Sequence, residues 1–162
     1  MFADDTKLYR TVSTAEDGEK LQSDLNRLAA WSNTWLLKFN EEKCVVLKFR
    51  DCIKFSYSLN GFDLEQVDSQ RDLGIIMNSK LSPVDHIKLI VNKATQRLHM
   101  IRRCFSRLSK EKLSTLYTSI VRPILEYGSV TWNPWLKQDI NALESVQKKC
   151  QNMCLELLEL NL

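Results

Sequence analysis

Hydrophobic positions along this chain follow two rhythms, and the change from one to the other falls near Leu81-Ser82. Before that point short alternating runs flank a single stretch of helical period. Ser13-Thr14-Ala15-Glu16 reads as a capping box, with Ser13 as N-cap and Glu16 at N3. The helix that it opens carries Leu21, Leu25, Leu28, Trp31 or Ser32, Trp35 and Phe39, spaced in threes and fours to give one buried face. Cys44-Val45-Val46-Leu47-Lys48-Phe49 is rich in β-branched residues and reads as a mostly buried strand. Residues 53–59 alternate as a strand, Asn60-Gly61 is a strong hairpin turn signal, and residues 62–67 make the return. A further strand is expected over 71–77, with Gly74 inside it marking a bulge or a close backbone approach. Together these last strands suggest a three-stranded β meander.

After Leu81 the period is helical throughout. Ser82-Pro83-Val84-Asp85 offers an N-cap, a proline at N1 and an acid at N3. Ile87, Ile90, Ala94, Leu98, Ile101 and Phe105 form one apolar stripe. A second helix follows Ser109 and buries Leu113, Leu116, Tyr117, Ile120 and Val121, until Pro123 kinks or ends it. Gly128 and Asn133-Pro134 mark a break, and a last helix carries Leu143, Val146, Cys150, Met153 and Leu157. The expected fold is therefore α+β: residues 1–81 as hairpin, helix, strand and meander, residues 82–162 as a basic helical bundle.

Composition narrows this picture. The 162 residues are 44% hydrophobic and 27% charged, as in ordinary globular proteins. Apolar runs last only a few residues, too short for a membrane-spanning helix, and the acidic N-terminus lacks the pattern of a signal peptide. The five cysteines are odd in number and contain no Cys-x-x-Cys pair, which points to a reducing, intracellular setting, nucleus or cytoplasm. Cys150 and Cys154 lie one turn apart on an apolar stripe and read as buried thiols rather than metal ligands.

Charge is unevenly spread. Residues 83–125 hold nine basic residues against two acidic ones, a net of +7, while the rest of the chain holds fourteen against eighteen, a net of −4. Lys88, Lys93, Arg97, Arg102, Arg103, Arg107, Lys110 and Lys112 make the bulk of that block. A basic block on helices suits the phosphates of a nucleic acid; it also suits a plain solvated surface. At the other end, Asp4 and Asp5 sit between an apolar start and the alternation Lys7-Leu8-Tyr9, which suits a hairpin tip. Adjacent carboxylates on a turn are hard oxygen donors for a divalent cation, although an isolated pair in a turn is far more often ordinary surface.

Taken together, these segments resemble a known family. Phe2-Ala3-Asp4-Asp5-Thr6-Lys7-Leu8-Tyr9 is similar to the catalytic Tyr/Phe-Ala-Asp-Asp motif of reverse transcriptases, particularly those of non-LTR (LINE-type) retrotransposons. Trp35-Leu36-Leu37-Lys38-Phe39-Asn40-Glu41-Glu42-Lys43-Cys44 resembles the lysine-bearing motif of the same polymerases, and Leu73-Gly74-Ile75-Ile76 resembles their primer-grip hairpin. The stretches 86–94 and 125–132 resemble their thumb.

The resemblance implies a palm over 1–81 and a thumb over 82–162 of an RNA-directed DNA polymerase. Asp4 and Asp5 would be the catalytic pair that binds Mg²⁺, and Lys43 would supply a proton or charge to the departing pyrophosphate. Leu73 and Gly74 would meet the primer terminus. The basic helices would hold the duplex of RNA template and DNA primer. The family's fingers and its other metal-binding aspartate have no counterpart in these residues, so the expectation is a C-terminal portion, inactive by itself, whose two-metal chemistry needs an N-terminal polymerase half. Two other readings stand beside it. One is a non-catalytic nucleic-acid-binding module using helices 83–125. The other is an interaction bundle displaying Trp132, Trp135 and Leu136, residues that a buried core also explains.

Overall fold

A computed structural model of the chain describes residues 5–49, 55–105 and 109–159, without the side chains of 156–159. Internal contacts divide the chain into two compact units, Met1–Gln70 with Asn78–Leu81, and Arg71–Met77 with Ser82–Leu162. Helices make up the second half, and the described strands, all short, lie in the first beside one long helix, so the α+β expectation is met.

In the first unit the long helix α1 spans Ala15–Thr34. Its capping box lies one residue beyond the predicted one: Thr14 is the N-cap and Asp17 the N3 partner. The Asp17 carboxylate accepts from the Ser13 and Thr14 amides at 3.1 and 3.0 Å, while the Asp17 amide donates to Thr14 Oγ1. The Thr14 hydroxyl, which donates to Asp17 Oδ2 at 2.9 Å, and then the two amides hold the Asp17 carboxyl below its ordinary range. The helix also ends sooner than its apolar stripe suggests. Leu37 N–H donates to Ser32 O and Leu36 N–H to Asn33 O, a Schellman closure that places Leu36 at φ 57° and leaves Trp35, Leu36 and Leu37 exposed.

The inner face of α1 is set by small residues. Gly18, Ala29 and Ser32 are buried, and a methyl on Gly18 would meet the Phe55 ring at 2.7 Å. Gln22 acts as a stand-in for a neighbouring strand: its Nε2 donates to Ser58 O at 2.8 Å, and its Oε1 accepts from Ser58 N–H at 2.9 Å. Ser58 opens β2 (Ser58–Leu59), which returns as β3 (Phe62–Asp63) through Asn60-Gly61. Both turn residues have positive φ, 52° and 83°, the two-residue geometry that Asn-Gly favours.

The predicted meander is replaced by strands that pair two by two among the described residues. β1 (Val45–Leu47) pairs in parallel with β4 (Glu65–Val67), Val46 opposite Gln66. The return strand thus leaves its hairpin after Leu64 to cover the edge of a half-buried β-branched run, which would otherwise stand unpaired. At the N-terminus, residues 6–10 form no strand and Tyr9 is 92% exposed. Arg10 instead ion-pairs with Asp24 of α1 at 2.6 Å. The rest of the predicted hairpin lies outside the described residues.

The second unit is built on α2 (Val84–Cys104) and α6 (Lys137–Glu159). The predicted stripe on α2 is buried from Ile87 to Ile101, and Phe105 falls outside the helix and is exposed. One apolar cluster joins Ala94, Leu98 and Ile101 to Leu113, Val121, Val146, Cys150 and Met153. Burial pushes the Cys150 thiol up to about 11, as befits an inert core cysteine. A second cluster gathers Ile87, Ile90 and Trp132.

Pro123 neither ends nor sharply breaks its helix. α3 (Lys110–Leu116) widens into a π turn over Tyr117–Val121, in which Arg122 N–H reaches back to Tyr117 O. The wider turn accommodates the proline, and α4 (Arg122–Glu126) continues with it in the first turn, where the missing N–H is no loss. Gly128, at φ 65°, then leads into the single turn α5 (Ser129–Trp132).

A candidate nucleic-acid interface

β5 (Ser69–Asp72) and β6 (Ile75–Asn78) are joined by Leu73-Gly74. The predicted continuous strand is therefore a hairpin, with Leu73 at φ 45° and Gly74 at φ 89° as its two turn residues. Glycine takes this conformation without penalty; Leu73 takes it at some cost and is held from outside. Tyr127 O–H donates to Leu73 O at 3.0 Å, and Trp132 Nε1–H donates to Tyr127 O at 2.8 Å. A methyl on Gly128 would strike Ile75 Cδ1 at 2.6 Å, so the hairpin and the 127–128 loop touch where only glycine fits.

His86 provides the third hold. It is almost fully buried, with its ring centroid 5.3 Å from that of Trp132, and its Nδ1 accepts from Ile76 N–H at 3.2 Å. That bond requires an unprotonated Nδ1. Burial first, then the charges of Lys93 and Arg71, keep the imidazole below its ordinary value of 6.5. The unfolded chain therefore takes up a proton near pH 6.5 that the folded chain refuses, and stability falls as pH drops below that value. Thermal melts between about pH 5 and 7.5 are expected to show this decline in the native chain and a flatter profile in His86→Asn. Matching profiles would show that His86 is not its source.

Beside the hairpin tip lies an open groove of about 820 Å³ in the second unit. Gly74, Arg71, His86, Lys93, Arg97 and Tyr127 are among its lining residues. None of its three cations, Arg71, Lys93 and Arg97, is ion-paired among the described residues, and Lys93 and Arg97 are exposed. On α2 the positions 93, 97 and 100 fall on one face, turned toward the hairpin tip by the burial of Ile90, Ala94 and Leu98.

The structure thus sorts the predicted residues. It brings Gly74, Lys93 and Arg97 together. Lys88, Arg102 and Arg103 occupy other arcs of α2, and Lys110 and Lys112 lie exposed on the first turn of α3. Arg107 and Asp4 lie outside the described residues. Asp5 is exposed with a single bridge pairing, and Lys43 is exposed at the end of a 3₁₀ turn, Glu41–Lys43. Asn60 Nδ2–H donates to Glu41 Oε1 at 2.7 Å, tying that turn to the β2–β3 hairpin. No three Asp, Glu, His or Cys side chains gather into a metal-binding group among the described residues, which leave out Asp4.

Arg71, His86 and Tyr127 escape the sequence reading as groove residues. Arg71 lies outside the basic block, and the helical period alone does not say which loop folds back onto α2.

Comparison with known proteins adds the relatives of the chain. Over 91% of its length the chain is similar to RNA-directed DNA polymerases of mobile genetic elements, as its motifs suggest. It is 30% identical over 156 residues to the probable RNA-directed DNA polymerase from transposon BS of Drosophila melanogaster. It is 28% identical over 158 residues to the RNA-directed DNA polymerase from mobile element jockey, and 22% identical over 156 residues to the probable enzyme from transposon X-element, both of the same fly. The chain spans 17% of the length of each of these relatives. No family model matches it, and no solved structure does.

Proposed function

We propose that this chain is the duplex-holding, palm-and-thumb portion of a non-LTR retrotransposon reverse transcriptase, and that the groove of the second unit grips the RNA template and DNA primer. The observation that carries this reading is the convergence of the Leu73-Gly74 turn with Arg71, Lys93 and Arg97 on one groove. In it, the three cations contact duplex phosphates, as suits the shape-based reading of A-like duplexes. The turn presents backbone at the primer end, where the absence of a side chain at Gly74 allows close approach. Asp4 and Asp5 are assigned as the metal-binding pair, and Lys43 as the charge donor to the leaving group, by resemblance. Exposure of Asp5 and Lys43 is compatible with those roles. Chemistry then requires the rest of the polymerase, and the isolated chain is expected to extend no primer with Mg²⁺.

The test is binding of an RNA–DNA heteroduplex followed by fluorescence anisotropy between about 50 and 200 mM salt. Three engaged phosphates give a slope of log affinity against log salt of roughly −2.7 or steeper. A flat response would defeat the proposal. A non-catalytic binding module using the same helices predicts the same slope; it parts from the polymerase reading if groove substitutions in the intact element's polymerase leave primer extension unchanged.

A further inference from the structure

Tyr127 combines two properties that seldom go together. It is 58% exposed, yet it is fixed at both ends. Its hydroxyl is bonded to Leu73 O at 3.0 Å and its carbonyl oxygen accepts from the buried Trp132 indole at 2.8 Å. A methyl on Gly74 would lie 3.4 Å from Tyr127 Cε1, so the ring rests along the backbone of the turn. It also lines the groove whose cations are Arg71, Lys93 and Arg97. An exposed aromatic that packing alone placed would be free to leave for solvent. This one is held in a single pose beside a phosphate-binding wall.

Resting on the reading of the groove as a primer–template grip, we infer that Tyr127 is a stacking platform for the nucleotide at the primer's 3′ end. The chemistry is sequence-tolerant, because every base and every sugar presents a face to an aromatic ring. The cations hold the duplex by its backbone. Tyr127 defines where along that backbone the end lies, and the Leu73 tether keeps the ring in register with the turn. Substitution therefore weakens recognition of a recessed end more than grip on a continuous duplex.

The experiment uses the full chain and two heteroduplexes, one with a recessed 3′ end and one continuous, with 2-aminopurine at the 3′-terminal position or well inside. Saturation is confirmed by anisotropy in the same samples. Native chain is expected to quench the terminal probe and not the internal one. Tyr127→Leu should abolish that quenching and lower the preference for the recessed end about fivefold or more, with a smaller loss of affinity for the continuous duplex. Tyr127→Phe and Tyr127→Trp, which keep an aromatic face without the phenol tether, should each retain quenching in reduced degree, so the result does not hang on the folding of one variant. Equal quenching by native and Tyr127→Leu chains, or equal loss on both duplexes, would overturn the inference while leaving the groove reading intact. Absence of any heteroduplex binding by the native chain would overturn both.

Discussion

Replacing Arg71, Lys93 and Arg97 together by glutamine is expected to flatten the salt dependence of heteroduplex binding by about 2.7 in the log–log slope. Each cation that meets a phosphate releases about 0.9 counterion, and that release is worth nothing near 1 M salt. At about 0.1 M the same three contacts are worth a factor on the order of 500 in affinity. Glutamine keeps the first methylenes of the stems and a polar end, so the loss is mainly of charge. Equivalent neutralisation of Lys88, Arg103 and Lys112 removes the same net charge from surfaces outside the groove. It is expected to cost much less. Equal losses in the two triple variants would mean a diffuse electrostatic attraction and would remove the groove from the account.

Trp132→Ala should give the largest loss of stability, about 3–5 kcal/mol in urea unfolding. The indole is 5% exposed and packs with Ile87 and Ile90, so truncation leaves a large void between α2 and the 127–132 loop. It also removes the donor to Tyr127 O and the ring beside His86. Trp132→Phe restores most of the apolar volume but not the N–H, and should lose less than half as much. A cost below about 1 kcal/mol for the alanine variant would show that this cluster does not hold the unit together.

Much of the helical half could be read from the chain because its period is unbroken and its stripe is wholly apolar. Ile87 to Ile101 on α2, and Val146, Cys150 and Met153 on α6, are buried as the spacing requires. Asn60-Gly61 was equally legible, since two positive φ values in succession suit few other pairs. Partner choice was not. Nothing local says that 65–67 should leave their hairpin for a parallel partner twenty residues back, or that a glutamine side chain should stand in for a strand. The strand period hid the Leu73-Gly74 turn for a related reason: a leucine at positive φ is costly locally, and the bond that holds it comes from Tyr127, 54 positions away. Of Trp132, Trp135 and Leu136, the first is core and the other two are exposed, a division that follows from α5 ending at Trp132 rather than from hydrophobicity. In the candidate site, the cations on α2 could be named from sequence. The loop that selects two of them could not.

The second unit takes in Arg71–Met77 but not Asn78–Leu81, and this threading bears on the order in which the protein is made. The Leu73-Gly74 turn leaves the ribosome before the residues that hold it. Its backbone partner at Tyr127 follows 54 residues later, and the indole that fixes Tyr127 five residues after that. At about 5–20 residues per second, the tip waits several seconds without its tether. During synthesis the turn therefore acquires its full set of holds only once α5 has been made.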